Sequence, residues 1–295
     1  MREKILLDTD IGSDIDDAIC LAYLLAQPRD ELLGINTVSG QPVERAQLAS
    51  ALCIAFGSSG IPIFPGIESP QRDPQRQPLA QQASVLPRWD HQRDFQTGRA
   101  VGFMADTIRK HPGEVTLLAI GPQTNIARLF TEHPDIPPLL KRLMLMAGRF
   151  GPTPRGAKFD DEWNILCDPH AAEVVYQTPV ARHSSVGLDV TMQVQMDAAE
   201  VRKRFSSGPL RVVHDMAEVW FDTRDVITFH DPLAAVCLFE PDVCGFVRGN
   251  VNIAASVQTR ANTRMTRWLP ASSGPHEVAM TVNPGAFFEQ YFGVF

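Results

Sequence analysis

Residues 5–18 read Ile-Leu-Leu-Asp8-Thr-Asp10-Ile-Gly-Ser-Asp14-Ile-Asp16-Asp17-Ala, which places five carboxylates within ten positions, behind an apolar run and ahead of a helix-like stretch. At neutral pH these like charges repel one another, so the cluster usually needs a cation, a set of aimed backbone N–H groups, or solvent around it. The apolar run argues against simple exposure, because carboxylates at strand ends of α/β proteins sit at the sheet rim where ligands bind. A hard, oxygen-liganded cation, Ca2+ or Mg2+, is the economical occupant. Two familiar acidic motifs fail on spacing. An EF-hand loop needs glycine where Ser13 stands and a bidentate glutamate where Ile19 stands. An aspartyl-phosphate phosphatase would use the Asp8-x-Asp10 pair, but Gly12 replaces the usual Thr or Val and no convincing partner motifs follow.

The elements that must position this cluster alternate in type. Ile5–Leu7 is a short buried strand, and residues 18–26 have helical length and apolar content. Residues 32–38 read as a second strand closed by Ser39-Gly40, and 43–56 as a second helix with Val43, Ala46, Leu48, Ala49, Leu52 and Ile54 mostly on one face. Further strands are expected over 115–120, 143–146 and within 180–188, with a helix from Thr124. Strands alternating with helices predict an α/β fold: one Rossmann-like domain over 1–295, a mostly parallel sheet flanked by helices, and an active site at the C-terminal strand ends. Residues 65–98, rich in Pro, Gln and Arg, are expected to form a functional lid or a mobile loop, and 150–161 a second loop.

Composition narrows the class. Acidic residues outnumber basic ones 34 to 27 and no basic tract stands out, which argues against nucleic-acid binding. No long apolar stretch suggests a membrane span, and the N-terminus runs directly into a strand without a signal-like segment. The five cysteines are scattered through apolar segments and read as reduced core thiols of a cytoplasmic protein.

Eight short motifs occur in a fixed order along the chain. They are Asp8-Thr-Asp10-x-Gly12, Asp16-Asp17-Ala18, Thr37-Val-x-Gly40, Gly121-Pro-x-Thr-Asn125, Met146-x-Gly148, Glu162-x-Asn164 with Asp168-Pro169, Gly187-Leu-Asp189-Val-Thr191, and His230-Asp231-Pro232. Any one is weak, but together, in this order, they resemble the inosine–uridine nucleoside hydrolase family along essentially the whole chain. The resemblance implies Ca2+-dependent hydrolysis of the N-glycosidic bond of ribonucleosides to ribose and a free base. It implies that Asp10, Asp17, Asp231 and the Ile120 carbonyl ligate calcium, which lowers the pKa of a bound water. Asp10 would act as general base on that water, and His230, with a pKa expected near neutrality, would assist the departing base. Asp16, Glu162 and Asn164 would bind ribose hydroxyls, Met146 would pack beneath the sugar, Trp163 would stack on the base or line its pocket, and Gln41 would contact ribose or the metal shell. The partner is a small-molecule nucleoside, and families of this kind form homodimers or homotetramers.

Structural readings stand beside these: Asp14 as a helix N-cap and Asp8 as an anchor of its loop. The chain also departs from the family pattern. Asp14-Ile15 forms a two-residue extension, Gln41 replaces an Asn, and Gly156 stands where an Asn often binds the ribose 5′-hydroxyl, with Lys158 as a possible substitute. Trp89-Asp90-His91 occupies the region of the family's first lid. These departures keep two alternatives open: a hydrolase of a modified or non-standard N-riboside, and a non-catalytic nucleoside- or sugar-binding homologue.

Overall fold

Ile5, Leu6 and Leu7 lie in the middle of a sheet covered on both faces, which is why they form an unbroken apolar run rather than an alternating one. The computed structural model describes residues 2–152, 161–255 and 265–295. Strand β1 (Glu3–Thr9) leads through the acidic turn into α1 (Asp16–Ala26), followed by β2 (Asp30–Thr37), α2 (Pro42–Ala55) and β3 (Ile63–Pro65). After a long excursion come α3 (Ala100–Lys110), β4 (Val115–Ala119), α4 (Thr124–Glu132), β5 (Arg142–Met146), α5 (Trp163–Cys167), α6 (Pro169–Gln177), β6 (His183–Val186) and α7 (Leu188–Thr191). A small antiparallel pair, β7 (Gln195–Asp197) and β8 (Val226–Thr228), encloses α8 (Ala198–Arg204) and α9 (Arg211–Phe221). The chain closes with α10 (His230–Phe239), β9 (Cys244–Ile253), β10 (Thr266–Pro270), β11 (His276–Val282) and α11 (Pro284–Phe292).

Among the described residues the main sheet has nine strands in the order β10-β9-β11-β6-β5-β4-β1-β2-β3. From β3 to β11 all neighbours are parallel, and β9 and β10 extend the edge antiparallel. The chain winds one way from β1 to β2 and β3, and the other way through β4, β5 and β6. The switch point of an open parallel sheet therefore falls between β1 and β4, where ligands bind outside the strand ends. The C-terminal ends of those two strands carry Asp8, Asp10 and Ile120.

Side chains alternate across the sheet into two cores. Ile5 and Leu7 join the layer of α1, α2, α9, α10 and α11, while Leu6 joins that of α3, α4 and α6. Helix α1 is buried from Asp16 to Leu24 and α10 from Asp231 to Cys237, so both are apolar around most of their circumference. They pack against each other, and Tyr291 of α11 locks the arrangement by donating from its hydroxyl to the Ile19 carbonyl at 3.0 Å.

The predicted strands and helices are present, with α1 beginning at Asp16 rather than at residue 18. Residues 65–98, expected as a functional lid or a mobile loop, are packed against the body of the fold. Gln77, Ala80, Gln82, Val85 and Leu86 are buried, and Gln81–Arg88 forms a 3₁₀ segment packed on α2 and α9. The segment is a docked strap, because its apolar positions join the same core as α1. Gly156 and Lys158 lie outside the described residues.

At the strand ends opposite the acidic turn, His183 of β6 is fully buried with both ring nitrogens unpartnered. Its ring stacks on Tyr176 at 4.9 Å and meets His276 at 4.8 Å. Burial, with His276 adding to it, pushes the His183 pKa down from 6.5 to about 3. The unfolded chain therefore takes up a proton that the folded chain refuses, and the stabilising contribution, full above pH 6.5, is lost progressively as pH falls toward 3. His183→Phe keeps the ring stack and removes this proton. In urea unfolding between pH 6 and pH 4, the stability difference between wild type and variant should change by up to about 1.4 kcal/mol per pH unit. A difference constant with pH would refute the assignment.

Candidate active site

Two helix N-termini bring the carboxylates together. Asp16 and Asp17 open α1, Asp231 is in the first turn of α10, and the Asp231 N–H donates to Asp16 Oδ2 at 3.1 Å. Each of the three offers an oxygen within 4.8 Å of the others, and all three are buried. The dipoles of both helices favour negative charge at these N-termini. Even so, burial and mutual repulsion hold the Asp16, Asp17 and Asp231 carboxyls well above their usual pKa. The oxygen-only donor set and the uncompensated repulsion fit a hard divalent cation.

Asp10 stands beside this trio. Its backbone N–H and the Thr9 hydroxyl both donate to Asp17 Oδ1, at 3.2 and 2.5 Å, so the end of β1 is tied to the start of α1. Burial raises the Asp10 pKa, opposed by Arg45 and by an amide hydrogen bond from Gln77 to Oδ2. Gly121 backs the carboxylate closely: a Cβ there would lie 2.7 Å from Asp10 Oδ1.

Arg45 of α2 holds the turn. It is fully buried, and its guanidinium donates to the carbonyls of Gly40 at 2.7 Å, Ile11 at 3.1 Å and Leu79 at 3.2 Å, and to that of Asp10. It thereby joins the acidic turn, the end of β2 and the strap. The strap passes so close that a Cβ on Gly40 would lie 2.5 Å from the Pro78 Cα and carbonyl oxygen.

The other predicted residues fall into place with two changes. Met146, Glu162, Trp163, Asn164, Ile120 and His230 line the same cavity as Asp10, Asp16, Asp17 and Asp231, a space of about 610 Å³. Glu162 caps α5, accepting from the N–H groups of Asn164 at 2.6 Å, Ile165 at 3.1 Å and Gly148 at 3.2 Å, and burial pushes its pKa up to about 7. The Asn164 amide donates to the Ile120 carbonyl at 2.7 Å and to that of Met146 at 3.1 Å. Trp163 Nε1 donates to Gln77 Oε1 at 2.6 Å, so one strap residue bridges the indole and the Asp10 carboxylate.

The first change concerns Gln41, which does not line the cavity. It caps α2 in a left-handed conformation (φ 58°), and its amide oxygen accepts from Ala80 N–H at 2.8 Å, so its polar end is committed to the strap. The second concerns His230. Burial lowers its pKa to about 4 rather than leaving it near neutrality, and Nδ1 meets the Thr191 hydroxyl at 2.7 Å. Asp8 and Asp14 take structural contacts. Asp8 is anchored by the Asn125 amide at 2.7 Å; Asp14 does not cap α1, whose N-cap position is Ile15, but accepts from Ile15 N–H at 2.6 Å while also lining the cavity. Arg45, Gln77 and Thr191 are absent from the sequence-based set. An arginine inside the apolar pattern of residues 43–56 was the one legible signal.

With this geometry in view, comparison with known proteins decides the family. Residues 5–289 match the model of the inosine-uridine preferring nucleoside hydrolases. The chain belongs to that family. It is 30% identical to an uncharacterised protein of Schizosaccharomyces pombe over 314 aligned positions, covering 97% of this chain and 96% of that protein. It is also 30% identical to the pyrimidine-specific ribonucleoside hydrolase RihA of Salmonella paratyphi C over 265 positions, covering 82% and 81%. Among solved structures, the purine-preferring ribonucleoside hydrolase from Gardnerella vaginalis superposes with a TM-score of 0.82 at 21% identity, covering 99% of this chain and 97% of that one. The nucleoside hydrolase assignment makes the protein an N-ribohydrolase whose substrate is a small nucleoside, and the buried carboxylate trio is where a metal ion can bind. No described helix is long and apolar enough to cross a membrane.

Arg45 supplies the test of how the site is held. Arg45→Met leaves four carbonyls without their donor and should lower unfolding stability by about 3 kcal/mol or more. Arg45→Lys should recover only part of this, since one ammonium cannot reproduce the planar fork. Equal stability of Arg45→Met and wild type in urea denaturation would exclude the role.

Proposed function

We propose that the protein is a Ca2+-dependent ribonucleoside hydrolase in which Asp10 is the general base and His230 assists the leaving base. The observation that carries this is the convergence of Asp10, the Asp16–Asp17–Asp231 trio and His230 on one cavity, from segments more than two hundred residues apart. A pure binding protein has no need of a base and a leaving-group donor in the same cavity.

Asp17 and Asp231 of the trio would hold the ion together with Asp10 and the Ile120 carbonyl, which has a second lone pair beyond the one that Asn164 uses. Asp16, the third member of the trio, would stand within reach of the same ion as well as of the ribose. Calcium bound there supplies a fixed double charge that attracts hydroxyl and water oxygens and lowers the pKa of water. Asp10 takes the proton of the attacking water, and the Gln77 amide on Oδ2 fixes which carboxylate oxygen does so. Asp16, Glu162 and Asn164 bind ribose hydroxyls above the apolar floor of Met146. Trp163 presents an aromatic face to the base. At His230, a Thr191 hydroxyl donating to Nδ1 leaves the ring proton on Nε2, so a neutral imidazole hydrogen-bonds to the base as charge develops on it. The assembly implied is a homodimer or homotetramer, which a solution mass measurement tests.

A reducing-sugar assay on a panel of purine and pyrimidine nucleosides tests the chemistry. Chelation should abolish sugar release and added Ca2+ should restore it; activity unchanged after complete metal removal would sink the calcium assignment. Asp10→Asn should lower kcat by about 10³-fold or more, as expected for loss of a general base beside a metal site. His230→Ala should lower kcat by about 10²-fold, the usual scale of proton-transfer assistance, and an unimpaired variant would place that assistance elsewhere.

A further inference from the structure

At the wall of this cavity stands a cation with no counter-ion among the described residues. Arg149 is 5% exposed and lines the cavity, and its Nε is buried without a hydrogen-bond partner. The turn that carries it, between β5 and the Phe150-Gly151 step, is pinned on both sides. Gly148 N–H donates to Glu162 at 3.2 Å, and its carbonyl accepts from Leu188 N–H at 2.9 Å. Phe150 and Gly151 N–H groups donate to the two oxygens of Asp189 at 2.6 and 2.7 Å.

Among the described residues, the acidic groups around this turn are committed elsewhere. Glu162 serves three backbone N–H groups, Asp189 two, and Asp161 accepts from Met265 N–H at 2.8 Å and Thr266 N–H at 3.1 Å. Burying a guanidinium N–H without a partner is costly, and a rigid, partnered turn that nonetheless presents this arginine to a cavity has a binding site's arrangement. Two further arginines, Arg76 and Arg224, line the same cavity and are exposed, so they add positive potential at its mouth. The cavity is thus lined by three arginines as well as by the carboxylates of Asp16, Asp17 and Asp231.

We propose that Arg149 receives an anionic substituent of the riboside, so that the substrate class of this enzyme is an anionic nucleoside. This rests on the N-ribohydrolase chemistry proposed above. A planar guanidinium matches a phosphate or carboxylate with paired hydrogen bonds, so the anion is either a 5′-phosphate on the ribose or a carboxylate on the base. In either case hydrolysis breaks the C1′–N bond, adds the water oxygen to C1′ and moves a proton to the base. The anionic group itself is left intact, and the products are a free base with ribose 5-phosphate, or a carboxylated base with ribose.

The test runs uridine, uridine 5′-monophosphate and orotidine side by side in the sugar-release assay, with wild type, Arg149→Met and Arg149→Lys. An anionic riboside should exceed uridine in kcat/KM by at least about 10-fold in the wild type, and Arg149→Met should erase about 10- to 100-fold of that ratio. Arg149→Lys should retain part of it. The arm that carries the effect identifies the source of the anion. Thermal shift needs no turnover: ribose 5-phosphate against ribose, and orotate against uracil, should show a larger stabilisation by one anionic member, lost in Arg149→Met. No anionic preference in the wild type, or a preference untouched in Arg149→Met, would overturn the proposal. Should Arg149→Met fail to fold, the wild-type ratios and thermal shifts still decide. If no riboside is cleaved at all, the hydrolase reading fails by itself, and the thermal-shift arms judge the anion site separately.

Discussion

The structure depends on holding buried carboxylates together against their own repulsion. Asp16, Asp17 and Asp231 have their oxygens within 4.8 Å and are almost wholly buried, so solvent screens them little. Several devices share the cost. Two helix N-termini point partial positive charge at the trio, Thr9 donates to Asp17, and the Asp231 N–H donates to Asp16. Because α1 and α10 are buried on nearly every side, they are free to start at the same spot without presenting a polar face to water. What remains uncompensated is the part a divalent ion would neutralise, which makes the affinity of the site for a cation a consequence of the fold.

Around this centre, Arg45 and the strap solve a different problem. A turn of the type at residues 10–15 leaves carbonyls pointing inward with no ladder partner, and buried carbonyls need donors. One guanidinium supplies several at once and in the same act fastens the strap, whose Leu79 carbonyl it also engages. The strap in turn delivers Gln77, whose amide holds Asp10 with one atom and Trp163 with the other. The acid and the aromatic are therefore coupled through a single side chain from a segment without regular strand or α-helical structure.

This explains what was legible in the sequence. The β1–α1 sequence, the alternation of strands and helices, and the acidic and His-Asp clusters are local patterns, and each appears where periodicity or residue type placed it. The strap read only as a lid or a mobile loop because its packing comes from contacts with Gly40, Gln41 and Arg45 that no local pattern records. Gln41 was misplaced for the same reason: a longer amide than Asn reached the strap backbone instead of the cavity. The depressed pKa of His230 depends on burial, which residue type alone does not specify. The antiparallel strands β9 and β10 extend the far edge of the sheet, away from the β1–β4 switch point that the motifs report.

The carboxylates and the rest of the cavity lining are positioned by different means, and that difference bears on specificity. The carboxylates rest on helix termini and strand ends, elements fixed by the core on both faces of the sheet. The basic and aromatic walls come from turns and the strap: Arg149 from the turn after β5, Trp163 from the short α5, Arg76 and Gln77 from the strap, and Arg224 from beyond α9. The strap and turns reach the core only through particular side chains such as Val85, Leu86, Phe150 and Ile165, so their cavity-facing positions can change with those anchors kept, whereas moving a helix terminus would disturb both layers. The proposed hydrolytic chemistry is thus tied to the fold, while the proposed recognition of the rest of the substrate falls on side chains of the turns and strap.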